Sequence, residues 1–211
     1  MALDPLPWQT PPNGGQMSEA EYFELDERTI NGKYEYLNGV ARLVEGATVA
    51  HSEIAFNMLS AFREHFESGP CHACSSGVRV KINSETHSQP DYVYPDASVT
   101  CALADQQPRN TLIRSPRVLL EVLSPATAKI DRIDKRKSYQ ACPTIQEIIL
   151  IDQFSPFVEI YRRSASDTAK WDLVIYDEPE QKIVIQCLGL SLPMAKIYKG
   201  IDFDEPLDEE E

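Results

Sequence analysis

The chain has 211 residues, 42% of them hydrophobic and 25% charged, which suits one globular domain able to bury a sizeable core. No apolar run approaches the roughly 18 residues needed to span a bilayer. The opening Met-Ala-Leu-Asp-Pro-Leu-Pro-Trp lacks a basic or apolar signal region, so a cytoplasmic protein with no membrane partner is expected.

Residues 1–16, rich in Pro and Gly, read as a disordered leader, with Met17 a candidate alternative start. Ser18-Glu19-Ala20-Glu21 resembles a capping box that opens a short helix through Leu25. Lys33 to Glu45 reads as a hairpin around Asn38-Gly39. Ile54, Met58, Leu59, Phe62 and Phe66 form one stripe of a helix over residues 50–67, which Gly69-Pro70 ends. Strands follow at 71–83, 92–101 and 118–123, then a helix at about 127–141. Four more strands are expected at 146–152, 157–162, 171–177 and 182–188, before a closing turn and short helix to Phe203. The order is that of a mixed α/β (α+β) domain over residues 17–203, followed by an acidic tail at 204–211.

Net charge is −13, which disfavours nucleic-acid binding, since phosphate contacts need lysine and arginine. Its distribution softens that argument. Seven of the last ten residues are acidic, whereas residues 109–137 carry eight Lys/Arg against three Asp/Glu. That segment is either a phosphate-facing strip or the polar face of a helix. The five cysteines, Cys71, Cys74, Cys101, Cys142 and Cys187, are odd in number and mostly isolated, and read as reduced packing residues. Cys71-His72-Ala73-Cys74 has metal-like spacing, but no second pair completes a zinc site.

Glu121 is the most informative residue. It interrupts Val118-Leu119-Leu120-Glu121-Val122-Leu123, where an ionised carboxylate needs a paired charge or a cation. Its alternatives are a functional carboxylate and a buried ion pair with a nearby arginine. Asp96 follows Tyr94-Pro95, and the proline suggests a bend that aims the side chain off the ladder. Two carboxylates on neighbouring strands are half a site for a hard divalent cation. Asp131, Lys135 and Tyr139 lie four apart on one helical face, either as a surface ion pair or turned towards those carboxylates.

Lys33-Tyr34-Glu35-Tyr36-Leu37-Asn38-Gly39, Tyr94-Pro95-Asp96, Glu121-Val122-Leu123-Ser124-Pro125-Ala126-Thr127 and Asp131…Lys135…Tyr139 together resemble the Uma2 (DUF820) family of restriction-endonuclease-like proteins. The resemblance extends over about Met17 to Phe203, and includes His51…Asn57 and the strand Ile145 to Asp152. It implies a PD-(D/E)xK nuclease fold, a central mixed β-sheet flanked by helices with an N-terminal hairpin. It further implies that Asp96, Glu121 and the carbonyl of Val122 hold Mg²⁺ or Mn²⁺. Leu123 stands where the motif lysine would be, so the lysine is expected from the following helix as Lys135, with Lys137 its local competitor. Glu35 and His51 match positions that recur in the family, as an outer ligand or proton-handling group. Glu35 could instead pair with Lys33 or cap the hairpin, and His51 could be a helix-start residue satisfied by a neighbour. The activity implied is metal-dependent hydrolysis of DNA. The rivals are an inactive nuclease-fold binding or accessory protein, and an interaction module whose Asp96, Glu121 and Lys135 form a buried charge network. A homodimer is expected, because duplex cleavage needs two sites or two events and because the strands after Asp152 leave edges to cover.

Overall fold

The computed structural model of the chain describes residues 12–29, 32–44, 46–84, 89–125 and 127–203. The reciprocal Ser18–Glu21 capping box opens helix α1, Glu19–Arg28. Strands β1, Tyr34–Leu37, and β2, Val40–Leu43, form the hairpin. Its turn holds Asn38 at φ 54° and Gly39 at φ 79°, the left-handed pair that Asn-Gly supplies at little cost. Helix α2, Val49–His65, starts at Thr48, whose hydroxyl accepts the His51 N–H at 3.1 Å.

The segments expected as single strands at 71–83 and 92–101 each divide. They become β3, His72–Ser75, with β4, Arg79–Ile82, and β5, Asp91–Val93, with β6, Ala97–Thr100. A short β7, Leu112–Ile113, precedes β8, Pro116–Leu123. One helical segment follows: α3, Ala128–Ile130, a π-helical turn, Asp131–Lys135, and α4, Arg136–Ala141. The remaining elements are β9, Glu147–Asp152, β10, Val158–Arg163, β11, Trp171–Tyr176, β12, Lys182–Ile185, β13, Leu190–Pro193, and α5, Met194–Ile197.

Among the described residues the strands form three sheets. One runs β2-β1-β5-β4-β7, a second β11-β10-β9-β8-β6-β3, and β12 pairs with β13. In the second sheet β8 lies parallel to β9 and antiparallel to β6, so the central sheet is mixed. Alternation along β8 sorts its side chains between two cores. Val118, Leu120 and Val122 meet α2, β12, β13 and α5 through residues such as Met58, Phe62, Ile185 and Met194. Leu119 and Leu123 face the other way, towards Tyr139, Cys142 and the first sheet's Val80, Ile82 and Val93. The outer strand β11 leaves one edge of the second sheet unpaired among the described residues, with Leu173 and Ile175 exposed.

Three expectations need correction or restriction. Cys71 and Cys101 form a disulfide, and the free cysteines among the described residues are Cys74, Cys142 and Cys187. These two lie just outside the paired ends of β3 and β6, where His72 opposes Thr100, so antiparallel pairing brings together residues 30 apart in sequence. Cys71 is therefore unavailable to a Cys71/Cys74 zinc pair, and the cysteines no longer argue for a reducing compartment. Most of the expected leader lies outside the described residues, but Pro12–Gly15 form a 3₁₀ turn and Gln16 bridges Val40. Gly15, at φ 86°, packs so near Ala41 that a Cβ would collide with its carbonyl oxygen. The tail at 204–211 lies outside the described residues. No helix among them is long and apolar enough to cross a membrane.

Candidate active site

A cleft of about 880 Å³ opens where the two larger sheets meet, and Glu35, His51, Asp96, Glu121, Val122, Asp131 and Lys135 line it. The chain passes from one sheet to the other at Tyr94-Pro95-Asp96, between β5 and β6. Proline fixes the backbone there and withholds an N–H, so the ladder stops and the side chains take over the stitching. Glu35 Oε1 on β1 accepts the Tyr94 N–H at 2.8 Å, while Asp96 Oδ2 accepts the Val122 N–H of β8 at 2.7 Å. The second Asp96 oxygen lies 2.9 Å from His51 Nε2, which α2 presents from its first turn.

Glu121 projects from β8 on the side of the helical segment. Its Oε1 accepts the Tyr139 hydroxyl at 2.5 Å and the Lys135 ammonium at 3.2 Å. Lys135 Nζ also lies 3.0 Å from Glu35 Oε1 and 3.2 Å from Asp131 Oδ1. The π-helical turn carries both Asp131 and Lys135, and the Arg136 N–H reaches back to the Asp131 carbonyl to widen it. Such turns recur where a helix presents functional side chains. Lys137, by contrast, is exposed, so of the two competing lysines Lys135 is the one that lines the cleft.

Counted by ion-pair contact the charge does not balance, although Lys33 and Arg42 also line the cleft. Four carboxylates, Glu35, Asp96, Glu121 and Asp131, share the cleft with one ammonium in ion-pair contact and with His51. Burial, opposed by Lys135 but reinforced by Asp131, Asp96 and Glu35, raises Glu121 well above the usual carboxylate range. Burial raises Asp131 too, against the pull of Lys135 and a Thr127 hydrogen bond. Burial alone would lower Lys135, but Glu121, Glu35 and Asp131 outweigh it and hold the ammonium charged. Burial and the Glu121 charge keep the Tyr139 phenol protonated.

All five candidate side chains and Val122 thus come to one place. Asp131 and Tyr139 join them, so the Asp131–Lys135–Tyr139 face is turned towards the carboxylates and is not a surface ion pair. Apart from Lys135, the basic strip does not line the cleft. Arg132 pairs with Glu159 at 2.9 Å, Arg136 lies over the Tyr161 ring, and Arg117 donates to the Cys187 carbonyl. The cleft's cationic lining is instead Lys33, Arg42 and Lys135.

The donor set is hard oxygen, of the kind divalent Mg²⁺ or Mn²⁺ takes. Among the described residues no three His, Cys, Asp or Glu side chains converge as ready ligands. Two carboxylates are enough for a cation that keeps several waters, and Glu121 Oε2 has no hydrogen bond among the described residues. The Val122 carbonyl is a third oxygen. An extended residue turns its N–H and C=O to the same neighbour. The Val122 N–H faces Asp96, and the residue that would continue the β6 register opposite it is Pro95, which has no N–H to offer.

The Uma2 family, described as "Putative restriction endonuclease", matches residues 19–195. The uncharacterized protein slr1290 of Synechocystis sp. (strain ATCC 27184 / PCC 6803 / Kazusa) is 29% identical over 188 residues, covering 89% of this chain and 94% of that protein. The uncharacterized protein sll1609 of the same organism is 29% identical over 152 residues, covering 70% and 81%. A crystal structure of "a putative nuclease belonging to DUF820" from Anabaena variabilis ATCC 29413 superimposes with a TM-score of 0.62 at 19% identity, over 79% of this chain and 89% of that one. At that identity the likeness is one of fold.

Proposed function

The chain belongs to the Uma2 family, and on that premise we propose that it is a Mg²⁺- or Mn²⁺-dependent endonuclease hydrolysing DNA phosphodiester bonds. The observation that carries this reading is the surplus of carboxylate around one lysine in an open cleft, which a divalent cation would offset. Asp96, Glu121 and the Val122 carbonyl would hold the cation. When bound, it would lower the pKa of a coordinated water and offset charge gathering on the phosphate.

The chain's own residues do the rest. His51 and the Val122 N–H hold the two Asp96 oxygens. Lys135, whose ammonium pairs with Glu35, Glu121 and Asp131, would free an N–H for an attacking water or a phosphate oxygen once a cation takes over Glu121. Glu35 ties Lys135 to the sheet corner through the Tyr94 N–H. In the reaction a water oxygen bonds to phosphorus and gives up a proton, the bond to one ester oxygen breaks, and that leaving oxygen takes up a proton.

The net charge of −13 and the dispersal of Arg117, Arg132 and Arg136 favour a second reading, a nuclease-fold protein that binds a partner without cleaving DNA. Supercoiled and linear duplex DNA incubated with the protein and Mn²⁺ decides between them. Cleavage abolished by EDTA and reduced at least about a hundredfold in Asp96→Asn is expected. No cleavage together with no calorimetric Mn²⁺ binding would overturn the nuclease reading.

A further inference from the structure

We infer that Tyr139 is a positioning residue for Glu121, fixing which carboxylate oxygen faces the cleft; this rests on the metal-site reading above. Three observations carry it. Tyr139 has no solvent exposure, and its hydroxyl hydrogen bond is to Glu121 Oε1, at 2.5 Å. Lys135 reaches the same oxygen at 3.2 Å, so both donors sit on one side of the carboxylate. Oε2 has no hydrogen bond among the described residues, and Glu121 lines the cleft.

The two donors do different work. Lys135 is shared among Glu121, Glu35 and Asp131, with Nζ–O distances of 3.0 to 3.2 Å, so its pull on any one of them is divided. An ammonium on a four-carbon stem is also a nearly isotropic donor. A phenol has one O–H on a rigid ring, and α4 places that ring in the core cluster that holds Leu119, Leu123 and Leu150. Lys135 therefore sets the charge of the site, and Tyr139 sets the orientation of Glu121. An apolar ring would fill the same space, so the hydroxyl is needed only for what it bonds.

The test is isothermal calorimetry of Mn²⁺ with the full chain and with Tyr139→Phe, alongside thermal melts in EDTA. Loss of an outer hydrogen bond to a metal ligand costs about 10–100-fold in metal affinity. Tyr139→Phe is expected to weaken Mn²⁺ by that factor at unchanged stoichiometry while remaining folded. A hydroxyl that merely supports packing would lower the melting temperature and leave the Mn²⁺ affinity alone, and that result overturns the inference. Should the wild-type chain bind no Mn²⁺, the metal-site reading fails and this inference with it. Binding that is equal in both proteins removes only the role of Tyr139. If Tyr139→Phe does not fold, a tyrosine ultraviolet difference spectrum of a Tyr94→Phe variant titrated with Mg²⁺ decides, because Tyr94 also lines the cleft. A perturbation that saturates with the binding isotherm supports the inference, and a flat spectrum refutes it.

Discussion

Two buried glutamates sit on neighbouring parallel strands of one sheet and face opposite layers. Glu147, at the start of β9, is fully buried and fully answered. Its Oε1 accepts Arg162 Nε at 2.7 Å and the Gln186 N–H at 3.1 Å, and its Oε2 accepts the Cys187 N–H at 2.9 Å. Glu121 on β8 shares its one cation with two other acids and has one oxygen bonded. Both are buried; the larger difference is in the accounting of charge and donors. A buried carboxylate whose donors match its lone pairs ties elements together, here β9, β10 and the turn after β12. A buried carboxylate left over-anionic beside a cleft is, on the function proposed above, where a cation would bind.

That contrast predicts its own largest effect. Glu147→Gln leaves the Arg162 guanidinium, only 15% exposed, without its counter-charge. The new amide also turns donor against donor at one of the two backbone N–H groups. Guanidinium cannot shed its proton to escape. A loss of about 3–5 kcal/mol is expected, read as a fall in the midpoint of urea unfolding, with Mn²⁺ binding to the folded fraction unchanged. A neutral Glu147→Gln would break the distinction between the two glutamates.

The sequence exposed one side of this comparison and hid the other. Glu121 stood out because it interrupts six residues that are otherwise apolar, and Asp131, Lys135 and Tyr139 because a helix aligns residues four apart. Glu147 sits where Gln146-Glu147-Ile148 reads as the polar lip of a strand, and its partners Arg162, Gln186 and Cys187 arrive from a later hairpin whose path no local pattern reveals. The same blindness to pairing hid the Cys71–Cys101 bond and the division of residues 92–101 between two sheets. Pro95 marked the bend, but not that the bend changes sheets. The two-residue β7 and the four-residue β13 were too short to leave a period, and a 3₁₀ turn at Gln186–Leu188 ends β12 earlier than its apolar run suggests.

Lys135→Met probes the other cluster from its cationic side, and a smaller loss is expected there. Glu35, Glu121 and Asp131 would be left facing one another without an ammonium. Unlike Arg162, they have an escape, because carboxylates can take up protons and the cleft admits water. A loss of about 2–3 kcal/mol at neutral pH is expected, since removing one partner of a buried pair costs about 3–5 kcal/mol before such relief. Acidification and added Mn²⁺ should each recover part of it. A loss that neither condition reduces would show that Lys135 supports packing and not charge.

The smallest effect on stability, and the most diagnostic, belongs to Glu121→Gln. The amide keeps an oxygen for the Tyr139 hydroxyl, and Lys135 keeps Glu35 and Asp131, so no cation is stranded. One negative charge leaves a cluster that has too many. The sign follows from protons bound. The Glu121 carboxyl is raised in the fold above its ordinary 4.5, so between 4.5 and the raised value the folded state holds more protons than the unfolded one. Wild-type stability therefore falls as pH rises through that window, and the penalty persists above it. Glu121→Gln carries no such penalty. In EDTA at about pH 7 its melting temperature should equal or exceed the wild type's, by up to about 1 kcal/mol in stability, and the difference should shrink on acidification towards about pH 5. With Mn²⁺ the order should reverse, because the wild-type chain gains stability from the bound ion and the variant does not. A fall as deep as that of Glu147→Gln, in EDTA and at every pH, would place Glu121 in the same class as Glu147, a structural anchor, and would remove the metal site.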